Sequence, residues 1–102
     1  MTTTCVDLRV DVYAPVFPTV PMLRQAMLDK AGGVSSSRCI GSFIMPDGKE
    51  CKELTDVHTI FIEDSAENQL WLEDLLLTYK RLAQQQSVLY VLNGHLAHFI
   101  TA

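Results

Sequence analysis

A handful of side chains in this 102-residue chain have types and spacings that could do chemistry. His58 sits in a run of buried-type residues, Val57-His-Thr-Ile-Phe-Ile62, two positions after Asp56. Burial and a nearby carboxylate both move a histidine pKa, so His58 is a candidate acid–base group. Glu53, five positions earlier, is a second candidate of that kind. Asp7, Arg9 and Asp11 alternate, so on a strand they share one face and could form a polar floor for a cationic or hydrogen-bonding ligand, with Arg9 as a planar donor fork. Each has a plain structural counterpart: a hydrogen-bonded core histidine in the first case, a solvated face of self-neutralising charges in the last.

Other constellations carry less. His95 and His98 stand three apart, which on a strand places them on opposite faces, so they cannot share a metal ion and no metal site is expected. Cys5, Cys39 and Cys51 form no Cys-x-x-Cys pair and leave one thiol over in any disulfide pairing, which suits a reducing cytoplasm. Gly32-Gly33-Val34-Ser35 follows a helix and lacks the lysine of a phosphate loop, and Cys39 and Ser35 to Ser37 lack the context of an activated nucleophile. No cofactor is expected. The formal net charge of -4, with Lys80-Arg81 the one adjacent basic pair, opposes nucleic-acid and anionic-membrane binding. The start, Met1-Thr-Thr-Thr-Cys-Val-Asp-Leu-Arg, places charges where a secretion signal needs an apolar core. A cytoplasmic location is expected, and no apolar run approaches the roughly 20 residues of a membrane span.

These side chains must be held by a scaffold, and the periodicity predicts one. Residues Cys5 to Tyr13 alternate as a half-buried strand. Thr19 is the expected N-cap of a helix with Pro21 in its first turn and Gly32-Gly33 at its end. A strand from Arg38 to Met45 enters a tight turn at Pro46-Asp-Gly-Lys49, then an edge or irregular stretch, Glu50 to Glu53, leads to a third strand over Val57 to Ile62. Asp64 and Glu67 read as a capping box for a second helix whose core stripe is Trp71, Leu72, Leu75, Leu76, Tyr79, Leu82 and Ala83. Ser87 to Leu92 and His95 to Ile100 flank Asn93-Gly94, a strong two-residue hairpin signal. The order describes an α+β domain over residues 1–102, a ferredoxin-like βαββαβ sandwich with an extra C-terminal strand closing a hairpin, its first strand central beside the third and fourth.

One face of such a sheet is left open by the helices. The third and fourth strands are apolar on both sides, Val57, Thr59 and Phe61 against His58, Ile60 and Ile62, so an uncovered apolar patch follows for either choice of face. Leu70 and Leu77 point almost opposite the helix-two stripe and are expected at the surface. With Phe61, they mark an expected interface of a homodimer or higher homo-oligomer.

Gly32-Gly33-Val34-Ser35, Gly41-Ser42-Phe43, Asp47-Gly48-Lys49, Glu53, Tyr79-Lys80 and Gln86-Ser87-Val88-Leu89 together resemble small bacterial and phage domains of unassigned activity. Those share a Gly-Gly-x-Thr/Ser, Gly-x-Trp, turn glycine and glutamate series and a later Gln-x-x-Val strand start, with Phe43 here in place of the tryptophan. The resemblance spans about residues 30 to 92 and implies a ferredoxin-like fold and an accessory bacterial or mobile-element role. It raises the question whether Glu53, Phe43 and His58 converge beside the hairpin. The reading reached is a non-enzymatic, homo-oligomeric binding module for a small molecule or protein partner, with Asp7, Arg9, Asp11 and Phe43 as ligand contacts. The alternative is a small enzyme of the dimeric α/β-barrel type with an acid–base site near His58, aided by Glu53 or Arg9.

Overall fold

Alternating apolar residues place Leu8, Val10, Val12 and Ala14 on one side of the first strand, and the structure, a computed structural model, buries all four. It describes residues 5–101; Met1 to Thr4, part of the stretch weighed against a secretion signal, lie outside the described residues. The elements run β1 (Leu8–Pro15), α1 (Met22–Ala31), β2 (Ser35–Ile44), β3 (Glu50–Ile62), α2 (Ala66–Leu82), β4 (Val88–Leu92) and β5 (Leu96–Ile100). The fold is α+β: a five-stranded antiparallel sheet of order β2-β3-β1-β4-β5 with two helices. No helix among the described residues is long and apolar enough to cross a membrane.

Register divides the residues between the two faces. Val12 pairs with His58 on one side and Tyr90 on the other, so the even-numbered residues of β1, β3 and β4 share the face that meets the helices. There Val10, Val12, Ile60 and Val88 pack against Leu23 and Met27 of α1 and Leu72, Leu76, Tyr79 and Ala83 around α2. The odd-numbered set, including Arg9, Asp11, Tyr13, Val57, Phe61, Leu89 and Phe99, lies on the opposite face.

Several local expectations are corrected. β1 begins at Leu8, three residues late, and Val6 is exposed beyond it. Pro21 occupies the N-cap of α1 without a side-chain bond, because the Thr19 hydroxyl donates instead to the Val16 carbonyl at 3.1 Å. Ser65, not Asp64, caps α2: its hydroxyl accepts from the Asn68 amide at 3.1 Å, while Asp64 accepts from the Gln69 side chain at 2.7 Å. Gly32 ends α1 with φ 77°, where a side chain would be strained, and donates to the Leu28 carbonyl at 2.8 Å. Leu82, at the margin of the helical stripe, is exposed rather than buried. Leu70 is 62% exposed, but Leu77 is only half-exposed, since a mid-helix leucine is shaded by neighbours one turn to either side.

The largest departure is β3. The charged stretch Glu50 to Glu53 is regular strand, giving β3 13 residues, or about 43 Å, against about 25 Å for α2. The cause is the continuous ladder to β2, Ile44↔Glu50 through Ser35↔Thr59. β1 pairs only with Thr55 to Ile62, so Ile40 to Ile44 and Glu50 to Leu54 form a two-stranded ribbon beyond the main sheet. The molecule is elongated accordingly, with extents 55 × 25 × 25 Å.

Candidate functional site

Where the ribbon leaves the sheet, the open face forms a trough of about 960 Å³. Tyr13 of β1, Phe43 of β2 and Phe99 of β5 supply aromatic walls, and Glu53 of β3 and the loop Gln84 to Ser87 supply polar groups. Glu53 is the only charged residue lining it among the described residues, and its carboxylate has no hydrogen-bond or ion-pair partner there. Gly41 faces Glu53 across the ladder, and a Cβ at that position would stand 2.9 Å from the Thr55 hydroxyl, so the glycine keeps the trough floor flat. At the rim Gln84 adopts φ 54°, the left-handed conformation that terminates α2 and turns the glutamine loop toward the trough.

The second cavity lies on the helix side, a cleft of about 550 Å³ walled by the β1–α1 loop, the start of α1, and His58, Asp56, Arg38 and Tyr79. His58 is buried, and its Nδ1 shares a 2.7 Å hydrogen bond with the Ser36 hydroxyl. Burial pushes its imidazole below the usual histidine value; Asp56 pulls it partly back and Arg24 adds to the fall. Arg38 Nε meets Asp56 Oδ1 at 2.9 Å and holds that carboxyl below its usual range. Tyr79 is 2% exposed and its hydroxyl has no hydrogen-bond partner among the described residues; burial, with Glu53 adding to it, pushes the phenol up to about 12. With Arg24 and Arg38 against Asp56, this cleft carries a positive balance, unlike the trough.

The candidates read from the sequence therefore separate. Glu53 and Phe43 converge in the trough beside the hairpin; His58 opens on the opposite face of the sheet, because even and odd residues of β3 diverge. Asp7 accepts from the Asp64 amide at 2.8 Å at the far end of β1. Arg9 Nε lies 3.1 Å from Asp11 Oδ2, and the Thr59 hydroxyl donates to Asp11 Oδ1, so this pair is satisfied internally and lies outside the trough. His98 stacks on Tyr90 with ring centroids 5.2 Å apart, while His95 Nδ1 meets the Asn93 carbonyl at 2.9 Å, so the two do not meet. Among the described residues no cluster of three or more His, Cys, Asp or Glu could hold a metal ion. Sequence reasoning missed Tyr13, Phe99 and the Gln84 to Gln86 loop. Their signal was the odd-numbered alternation of β1 and β5, legible only once the neighbouring strands are known.

No family model matches the chain, and no curated protein matches it. Among solved structures, a phage SAM lyase in complex with S-methyl-5'-thioadenosine shares the fold at a TM-score of 0.72 with 12% identity, covering 100% of this chain and 95% of that one. The apo state of a phage SAM lyase matches at 0.68 with 14% identity and the same coverage. The expectation of a non-enzymatic binding module is corrected by this likeness: the fold matched from end to end is that of a lyase, a small enzyme. Surplus apolar surface without a linear catalytic motif does not separate a binding face from an enzyme site, because a trough needs no linear motif.

Proposed function

We propose that the chain is a small enzyme that binds an adenosyl sulfonium, S-adenosylmethionine or a close relative, in the open-face trough and cleaves a carbon–sulfur bond to release S-methyl-5'-thioadenosine. The observation that carries this reading is the composition of the trough: aromatic walls around one unpaired carboxylate and no cationic residue, in a fold shared with SAM lyases. A sulfonium is a permanent cation, and it is attracted both to a carboxylate and to aromatic faces. The flat adenine suits Phe43, Tyr13 and Phe99, and the amides of Gln84 to Gln86 offer donors and acceptors for its edge. The arrangement β2-β3-β1-β4 with both helices on one face supports reading the first six elements as a ferredoxin-like unit, with β5 added at the β4 edge.

When the bond to sulfur breaks, its electron pair passes to sulfur, which leaves as an uncharged thioether and needs no proton from the protein. The carbon that sulfur leaves takes an electron pair from the substrate's own carboxylate, a C–O bond forming to close a lactone as the C–S bond breaks, so the residues must bind, fold and dry the substrate rather than activate water. Glu53 holds the cation in place, while the aromatic walls and the flat floor at Gly41 set the position of the nucleoside.

The test compares a charged ligand with its neutral product. In calorimetry, Glu53→Gln is expected to weaken S-adenosylmethionine binding about tenfold, the worth of roughly one partly screened ion pair, while leaving S-methyl-5'-thioadenosine within twofold. Chromatography of the reaction should show the thioether formed by the wild type. Absence of both binding and product, or an equal loss for the two ligands, refutes the reading.

A further inference from the structure

A two-stranded ribbon standing alone in water is marginally stable at best, because it has no layer on which to bury a face. The ribbon of Ile40 to Ile44 and Glu50 to Leu54 has that problem: Ile40 and Ile44 are each 69% exposed, and Leu54 beside them is also exposed. All three hold helix-side positions of the ladder beyond the reach of either helix, and Ile40 and Ile44 also border the trough. The open sheet face of the same chain also exposes apolar side chains, Phe61 at 51% and Phe99 at 63%, with the Arg9–Asp11 pair on the strand between them.

Size measures agree with an unpartnered arm. A compact monomer of this mass exposes about 5,800 Å², whereas this chain exposes 6724 Å². Its radius of gyration is 14.3 Å against about 13 Å for a globular chain of this length. The surplus of about 900 Å² is close to the roughly 800 Å² that each partner contributes to a standard interface. An apolar arm and a face with exposed phenylalanines on one chain can serve each other, which selects a second copy as the occupant.

We infer that the ribbon of one chain lies across the open sheet face of a second copy, so that each trough is roofed by the partner's Ile40, the partner's Ile44 and the partner's Leu54. The trough of a lone chain is open to water along its length, and the roof supplies the exclusion of water that the proposed chemistry asks for; to that extent the inference rests on the proposed function. Contact between copies stands independently of it.

The experiment measures mass by light scattering across micromolar concentrations, alongside ligand affinity. Wild-type protein is expected at twice the chain mass of 11.4 kDa or more, and Ile40→Glu/Ile44→Glu at the single-chain mass with unchanged circular dichroism, since both side chains are exposed in one copy. Phe61→Lys, on the receiving face, is expected to do the same. Because Ile40 and Ile44 also border the trough of their own chain, affinity is read on Phe61→Lys, which lies outside it and, once dissociated, should bind S-methyl-5'-thioadenosine at least tenfold more weakly. A wild type that stays at 11.4 kDa, or variants that still associate, overturn the contact, and unchanged affinity in a dissociated variant overturns the roof. Association lost as expected, in a wild type that binds no adenosyl thioether, supports the contact and sinks the functional reading instead.

Discussion

Replacing Tyr79 by phenylalanine is expected to stabilise the fold, the reverse of the usual outcome for a buried tyrosine. The side chain is 2% exposed and its hydroxyl has no hydrogen-bond partner among the described residues, so folding strips water from that oxygen without replacing it. Such a group costs about 1–3 kcal/mol, whereas phenylalanine fills nearly the same volume and leaves no cavity worth counting. Taking the low end, Tyr79→Phe gains about 1 kcal/mol. In a domain of this length that is roughly 4 °C in Tm, or about 0.5–1 M in urea midpoint. Trp71, the single tryptophan, reports the transition by fluorescence, with variants compared at one protein concentration. The phenol, pushed up to about 12, also has a signature in alkali. The unfolded chain releases this proton near its ordinary value of about 10, so stability is full below that and falls as pH rises above it. Tyr79→Phe should flatten that fall. A loss of 1 kcal/mol or more would show that the hydroxyl holds a partner in solution and would refute the argument.

His58 gives the opposite pH window. Its folded value lies below the unfolded value of about 6.5, so the unfolded chain takes up the proton first and stability declines as pH falls from about 6.5 toward the folded value. The slope reaches at most about 1.4 kcal/mol per pH unit, and His58→Asn should remove it in urea titrations from neutral pH downward; an unchanged slope refutes the assignment. Gly41→Ala is expected to cost about 1–3 kcal/mol through contact with the Thr55 hydroxyl, and adding Thr55→Ala should recover much of that in a double-mutant cycle. Simple additivity of the two changes in thermal melts would contradict this.

The helices and strand order were legible because their signals are local and agree with one another. Gly32 past α1, Lys80 and Arg81 at the end of α2, and Asn93-Gly94 between β4 and β5 each mark an element end where the structure has one. The β2–β3 ribbon was half legible: the Pro46 to Lys49 turn is where it should be, with Gly48 donating to the Met45 carbonyl at 2.8 Å. Its charged return arm was not, because Glu50 and Lys52 are poor strand formers and only the ladder to β2 makes them strand. The candidate site was legible in Glu53 and Phe43, which the hairpin brings together, but not as a pairing with His58. Five residues along a strand reverse the face, and no reading of residue types alone reveals whether a histidine looks toward helices or toward water. Ser65 displaced Asp64 as a cap for a similarly local reason, since either residue satisfies the pattern and backbone geometry chooses.

The placement of β1 bears on how the chain comes to be folded at all. The first strand in the sequence is the middle of the sheet, paired with Thr55 to Ile62 on one edge and with Leu89 to Leu92 on the other. A chain growing from its N-terminus therefore carries an apolar strand whose second edge stays vacant until β4 is made. The β2–β3 ribbon can zip early from neighbouring residues, while the core must wait for partners more than 70 positions away. The core is thus expected to close only after β4 has been made, and the chain still short of β4 is the form most in need of a chaperone.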